Sequence, residues 1–282
     1  MIELKEYREN IYQNYGLREC PHYGEDGVIL KIFEEIGVSE NPYCIEFGEL
    51  RVLGTTTRSY RIFYKAKSLY FSFSYDFRSF YLNILDVFKI VLKTASLTYF
   101  KFLFNFPFKE FITPSNCKEI FEKNNVSKND LDLITVDLDS GDYYVIEKIL
   151  ELEYRPKVFI VEYNPSYGIS RDCSFPDDID FTPGNARIYG ASYKAMNRLL
   201  NQHGYTLCFV SGFCNLFYIR DEYSDKFKVP NIYDEFTDTR EKIEKYLIDH
   251  CQDGFIPSWM DAPELTSDDF KLLDDFESKN NI

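Results

Sequence analysis

Residues 133–164 read LITVDLDSGDYYVIEKILELEYRPKVFIVEYN, and no other stretch limits the fold as much. Two apolar runs, LITV and VFIV, flank a segment with helical spacing, DYYVIEKILELE, and Pro156 opens the second run. Short apolar runs rich in β-branched residues are the pattern of strands buried on both faces. Strands of that kind alternating with helices predict a mostly parallel sheet covered by helices. Each run also stops at acids: Asp137, Asp139 and Asp142 after the first, Glu162 after the second.

The rest of the chain extends the pattern. GVILKIFEEIG predicts a helix closed by Gly37, and PYCIEFGE a buried strand ending near Gly48. SLYFSFSYD, Ser68 to Asp76, is a second strand, and Thr113 to Asn125 a helix with Pro114 at its first position. Residues 80–111 are ambiguous, with room for a helix and then a strand near Leu97 to Leu103. Residues 165–188 hold prolines and acids without a period and read as a long loop. GASYKAMNRLLNQHG is a helix closed by Gly204, with Ser192 as its cap, and YTLCFV and CNLFYIR form a hairpin. Helical patterns follow near residues 239–251 and 267–276. The expected architecture is α/β: a three-layer Rossmann-like sandwich, a mostly parallel sheet with a C-terminal antiparallel hairpin. It forms a single domain over residues 1–282, with a helical extension from about 223.

Composition narrows the partners. The 282 residues carry a formal charge of −14, which repels phosphate backbones and argues against nucleic acid. No run of eighteen apolar residues occurs, so no membrane span is expected, and the N-terminus shows no apolar signal segment. Seven Cys without C-x-x-C spacing read as reduced thiols, which with the missing signals points to the cytoplasm. The aromatic stretch 80–111 reads as core or as a face for a second copy of the chain.

The acids need a physical reason. Asp139 and Asp142 suit the start of the following helix, where a carboxylate caps backbone N–H groups. Asp137 and Glu162 stand at the ends of buried strands, where an unpaired carboxylate is costly. Neighbouring carboxylates there repel unless a cation, a proton or a substrate amine lies between them. A hard divalent cation, Mg2+ or Mn2+, held by Asp137, Asp139 or Asp142, Glu162 and Asn164, is one solution. Removal of a proton from a substrate hydroxyl by Asp137 or Asp139 is another.

Five blocks in order resemble the FkbM-like S-adenosylmethionine-dependent methyltransferases: HYGEDGVILKIFEEIG, PYCIEFGE, the segment running into ITVDLDSGDYYVIEKI, VFIVEYNP, and YGASYKAMNRLLNQHGYTLCFVSGFCNLFYIRDE. The likeness spans residues 22–222, about seven-tenths of the chain. It implies a class I methyltransferase fold and S-adenosylmethionine as cofactor. It also implies cofactor contacts at Glu46 and Gly48, with Glu25 and Asp26 near them, an acidic catalytic edge at Asp137, and a sugar hydroxyl of a glycan or natural product as acceptor.

The chain departs from the family after Gly48. Glu49, Leu50, Arg51 and Val52 stand where the family has small residues, although a ligand approaching the backbone closely favours Gly. At the next strand end only Asp76 is left to bind a ribose diol. Two readings result. One is an O-methyltransferase for a small polar acceptor. The other is a methyltransferase-like domain that no longer takes S-adenosylmethionine and serves as a repurposed enzyme or a binding scaffold.

Overall fold

A computed structural model of the chain describes residues 1–7, 25–48, 55–72, 81, 85, 108–128, 130–177, 188–211, 215–235, 267–276 and 279. Its strands are β1 (Tyr43–Phe47), β2 (Lys67–Ser72), β3 (Phe108–Lys109), β4 (Leu133–Val136), β5 (Val158–Glu162), β6 (Cys173–Ser174), β7 (Tyr205–Val210), β8 (Asn215–Arg220) and β9 (Asp274–Asp275). Its main helices are α1 (Glu25–Ile36), α2 (Arg58–Tyr64), α3 (Cys117–Lys123), α4 (Asp142–Glu151) and α5 (Tyr193–Gln202).

Strand alternation decides which helix covers which face. Ile45, Phe47, Ile134, Val136, Phe159 and Val161 pack in one cluster with residues of α3, α4 and α5. Cys44, Leu133, Val158 and Ile160 point the other way, into a second cluster with Val28, Ile29, Ile32 and Phe33 of α1 and Tyr60 of α2. Successive strand residues face opposite sides, so burial on both sides needs the unbroken apolar runs seen in the sequence.

The main sheet has seven strands in the order β3-β2-β1-β4-β5-β8-β7. β1 to β5 pair parallel, and β8 runs antiparallel to both β5 and β7. The expected closing hairpin is therefore present, with a register irregularity between Leu207 and Phe209. From β1 the chain winds outward to β3 and then returns to place β4 on the other side of β1. That reversal sets the carboxyl ends of β1 and β4 side by side, where an open sheet leaves a crevice for ligands.

Gly48 is what permits this neighbourhood. Its φ is +118°, and a Cβ there would lie 1.5 Å from the Asp137 carbonyl oxygen. Gly48 N–H donates to Phe71 O (3.1 Å) and Asp137 N–H to Phe47 O (3.1 Å). At the opposite end of β4, Asp132 is fully buried and joins four segments. It accepts hydrogen bonds from Ser39 N and Oγ, Tyr43 N and the Tyr60 hydroxyl, and lies 3.0 Å from Lys157 Nζ.

Two segments differ from expectation. α3 begins at Cys117, three residues after Pro114. Thr113 N–H donates to Asn116 Oδ1 and Asn116 N–H to Thr113 Oγ1, closing a separate turn first. Residues 267–276 form only a short helix, α6 (Ser267–Phe270), before β9 pairs with β6. Leu273 packs with Tyr167, Cys173 and Phe175. The Arg198 guanidinium lies 4.8 Å from the Phe276 ring and pairs with Asp172 at 2.9 Å. Tertiary contacts with the 165–175 segment thus replace the last helical turn. β2 ends at Ser72, and the strands expected over residues 73–76 and 97–103, like the helix at 239–251, lie outside the described residues. No helix among the described residues is long and apolar enough to cross a membrane.

Two substitutions test this framework. Gly48→Ala forces a methyl group into the Asp137 backbone, and is expected to cost more than about 3 kcal/mol in chemical denaturation. Asp132→Ala leaves the Ser39, Tyr43 and Tyr60 donors without their acceptor, while Lys157 keeps the Gly37 carbonyl, and is expected to cost about 3–5 kcal/mol by the same measurement.

Candidate functional site

The carboxyl edge of the sheet gathers the acids that the sequence singled out. One carboxylate oxygen from each of Asp137, Asp139 and Glu162 lies within 4.8 Å of the others. Asp137 and Asp139 are exposed and Glu162 is buried. Asp139 adopts a left-handed backbone conformation, φ 53°, which Asp tolerates better than most residues. Asp142 holds this loop in shape. Its Oδ1 accepts from Leu138 N (2.8 Å) and its Oδ2 from Ser140 N (3.1 Å). Its carboxylate therefore reaches backward to the loop that carries Asp137 and Asp139 and stands outside the three-carboxylate cluster. The N-cap of α4 is Gly141, with no side-chain cap.

Glu162 is the most constrained of these groups. It ends β5 directly opposite Asn215 at the start of β8. It is only 5% exposed, and its Oε2 has no hydrogen-bond partner. Burial, reinforced by the charges of Asp137, Asp139 and Asp142, pushes its pKa well above the usual carboxylate range. A hydrogen bond links it to the Asp137 side chain. Asp142 is pushed up to about 6, chiefly by burial, with the Leu138 and Ser140 N–H groups working against it. Asn164 follows β5, but its amide is engaged in the loop: Nδ2 donates to Tyr189 O and Oδ1 accepts from Ser166 N.

The β1 side is built differently. Glu46 is buried, and its two oxygens accept from Thr56 N, Thr57 N and the Thr57 hydroxyl. Burial raises its pKa against the opposing effect of Arg61. It thereby holds the turn that opens α2. Asp26, near the start of α1, performs a similar task between helices. It lies 3.4 Å from Arg58 Nη2 and is hydrogen-bonded to Ser59, and burial raises its pKa. Glu25 accepts from Asn215 Nδ2 at 2.9 Å, which links the start of α1 to the strand beside Glu162. Asp76 lies outside the described residues. At the end of β2 stands Ser72, buried, with its hydroxyl unpartnered among the described residues.

Next to the acidic loop lies a cleft of about 130 Å3 lined by Phe111, Thr113, Leu138, Ser140, Phe175 and Asp177. Nothing in the sequence pattern pointed to it, because its walls come from loops more than 20 residues apart. Asn215 and Arg61 were likewise missed as site neighbours. The signal for Asn215 was its place at the head of the NLFYIR block; Arg61 left none. Ser192 does cap α5 as expected, accepting from Ala195 N, and His203 Nδ1 meets Leu199 O at the end of that helix.

A scan against models of known protein families finds no match to the chain, and a search of curated proteins finds none either.

The raised carboxyls have a consequence for stability. A carboxyl with a higher pKa folded than unfolded favours the folded chain fully below the unfolded value. That contribution is lost as pH rises through the folded one. With a chelator present, the thermal midpoint is expected to be higher at about pH 6 than at about pH 8. Glu162→Gln, which carries no charge at either pH, is expected to remove most of the difference. Parallel pH profiles for the two proteins would mean that Glu162 is already ionised in the fold.

Proposed function

We propose that the chain is a class I, S-adenosylmethionine-dependent O-methyltransferase for a small polar acceptor, a sugar hydroxyl of a glycan or natural product being the leading candidate. The observation that carries this reading is the winding reversal between β1 and β4. It sets the Glu46–Gly48 corner beside Asp137. The order β3-β2-β1-β4-β5 is the doubly wound order whose reversal point receives nucleotide cofactors, which supports a Rossmann-like assignment. Five sequence blocks resembling the FkbM-like family support the same reading.

The residues present fit the cofactor in one respect: the buried Ser72 hydroxyl stands at the end of β2, where a ribose would find a hydrogen-bond partner. When bound, S-adenosylmethionine supplies an electrophilic methyl group. The protein's part is to orient the acceptor hydroxyl and take its proton. Asp137 is exposed at the crevice and suited to that role, with Asp139 beside it. Phe111 and Phe175 offer apolar faces, and Thr113, Ser140 and Asp177 offer polar groups, the mixture a sugar ring uses.

A second reading has its own support. Glu46 and Gly48, the two residues that most resemble a cofactor motif, both have complete structural roles without any ligand. This favours a methyltransferase-like fold repurposed for another reaction or for binding.

Calorimetric titration with S-adenosylmethionine and S-adenosylhomocysteine separates the two. The first reading expects micromolar binding, and in an acceptor screen Asp137→Asn keeps cofactor binding while losing about 10²–10⁴-fold in rate. Absence of binding to both compounds would sink the methyltransferase reading and leave the repurposed fold.

A further inference from the structure

We propose that Asp137, Asp139 and Glu162 form a binding site for one hard divalent cation, a site that stands whether or not the neighbouring crevice takes S-adenosylmethionine. Acidic clusters are common on protein surfaces, and this chain has many acids. Two features set this one apart. The first is its spacing. Oxygens on opposite sides of a cation stand about 4–5 Å apart, from metal–oxygen distances of about 2.0–2.6 Å. The three ligand atoms here lie within 4.8 Å of one another, so a cation fits with at most a small contraction.

The second is Glu162. The residue is only 5% exposed, and Oε2 has no hydrogen-bond partner. A buried acceptor left in this way is costly unless something else satisfies it. The charges that act most strongly on Glu162 are those of Asp137, Asp139 and Asp142, all of its own sign. A cation at the cluster gives the Glu162 carboxylate a partner and turns mutual repulsion into shared attraction.

The surroundings favour a site prepared in advance. Asp142 fixes the 138–140 backbone through both its oxygens, and the Ser140 carbonyl accepts from Gly190 N at 2.9 Å. Outer hydrogen bonds of this kind orient metal ligands. All three ligands are carboxylates, and neither His nor Cys joins the cluster among the described residues. That donor set selects Mg2+, Mn2+ or Ca2+ over zinc or copper. Three protein ligands leave about half of the coordination positions to water or to oxygen atoms of an incoming ligand. The exposed Asp137 and Asp139 mark the open side.

The test is titration of the purified chain with Mn2+, with no S-adenosylmethionine present, following the electron paramagnetic resonance signal of free Mn2+. The proposal expects one saturable site per chain, displaced by Ca2+ or Mg2+. Asp137→Asn, Asp139→Asn and Glu162→Gln should each weaken it by at least about tenfold. Asp221→Asn, which changes a carboxylate hydrogen-bonded to Thr206 away from the cluster, should leave it unchanged. The two Asp variants are at exposed positions and carry the test even if Glu162→Gln does not fold. Absence of a saturable site up to about 5 mM Mn2+, weaker than the weakest calcium modules, would overturn the proposal. So would cluster variants that titrate like the wild type, because binding would then reside in the general negative charge. Loss of cofactor binding with Mn2+ binding intact would count against the methyltransferase reading alone.

Discussion

The backbone contact between Gly48 and the Asp137 carbonyl sets the geometry of the whole carboxyl edge. β1 and β4 can end side by side only because residue 48 has no side chain and tolerates φ +118°. From that point the two halves of the sheet diverge. On one side Glu46 draws in the turn at Thr55–Thr57 and starts α2. On the other, Asp137 leads into the loop braced by Asp142. At the opposite end of β4, Asp132 ties Ser39, Tyr43, Tyr60 and Lys157 together. β4 is thus anchored at both ends, which a loop bearing clustered charges requires if it is to keep one shape.

The same edge shows carboxylates in two different conditions. Glu46 and Asp26 are buried, and each has donors and a cation nearby. Their charges are answered inside the protein, and their work is structural. Glu162 is buried among other acids, with one oxygen unpaired. Its need is answered by a proton or by something that comes from outside. The contrast separates carboxylates answered within the fold from carboxylates that are not. It also connects the proposed chemistry with the proposed cation, since both depend on what neutralises the space between Asp137 and Glu162.

Much of this was legible from the chain. The unbroken apolar runs marked β1, β4 and β5, because strands covered on both faces cannot alternate with polar residues. Gly37, Ser192 and Gly204 marked helix ends through backbone conformation and capping, which are local properties. The acids at 137, 139 and 162 stood out because each ended such a run. Less legible were the ends of segments held by distant partners. The Thr113–Asn116 turn displaced the start of α3, and pairing with β6 ended the helix expected through residue 276. In both places a specific contact outweighed a helical propensity of a few tenths of a kcal/mol per residue.

Local sequence was enough to specify the alternation of elements and the presence of acids at strand ends, since apolar period and capping act over a few neighbours. Strand order, and with it the identity of the acids that meet, came only with the folded chain. Asp137 and Glu162 are 25 positions apart and become neighbours through parallel pairing of β4 with β5. Asn215 arrives opposite Glu162 through antiparallel pairing of β8. The division between answered and unanswered carboxylates has the same origin. A charge is answered by whatever lies within a few ångströms of it, and in a folded chain those groups come from anywhere in the sequence.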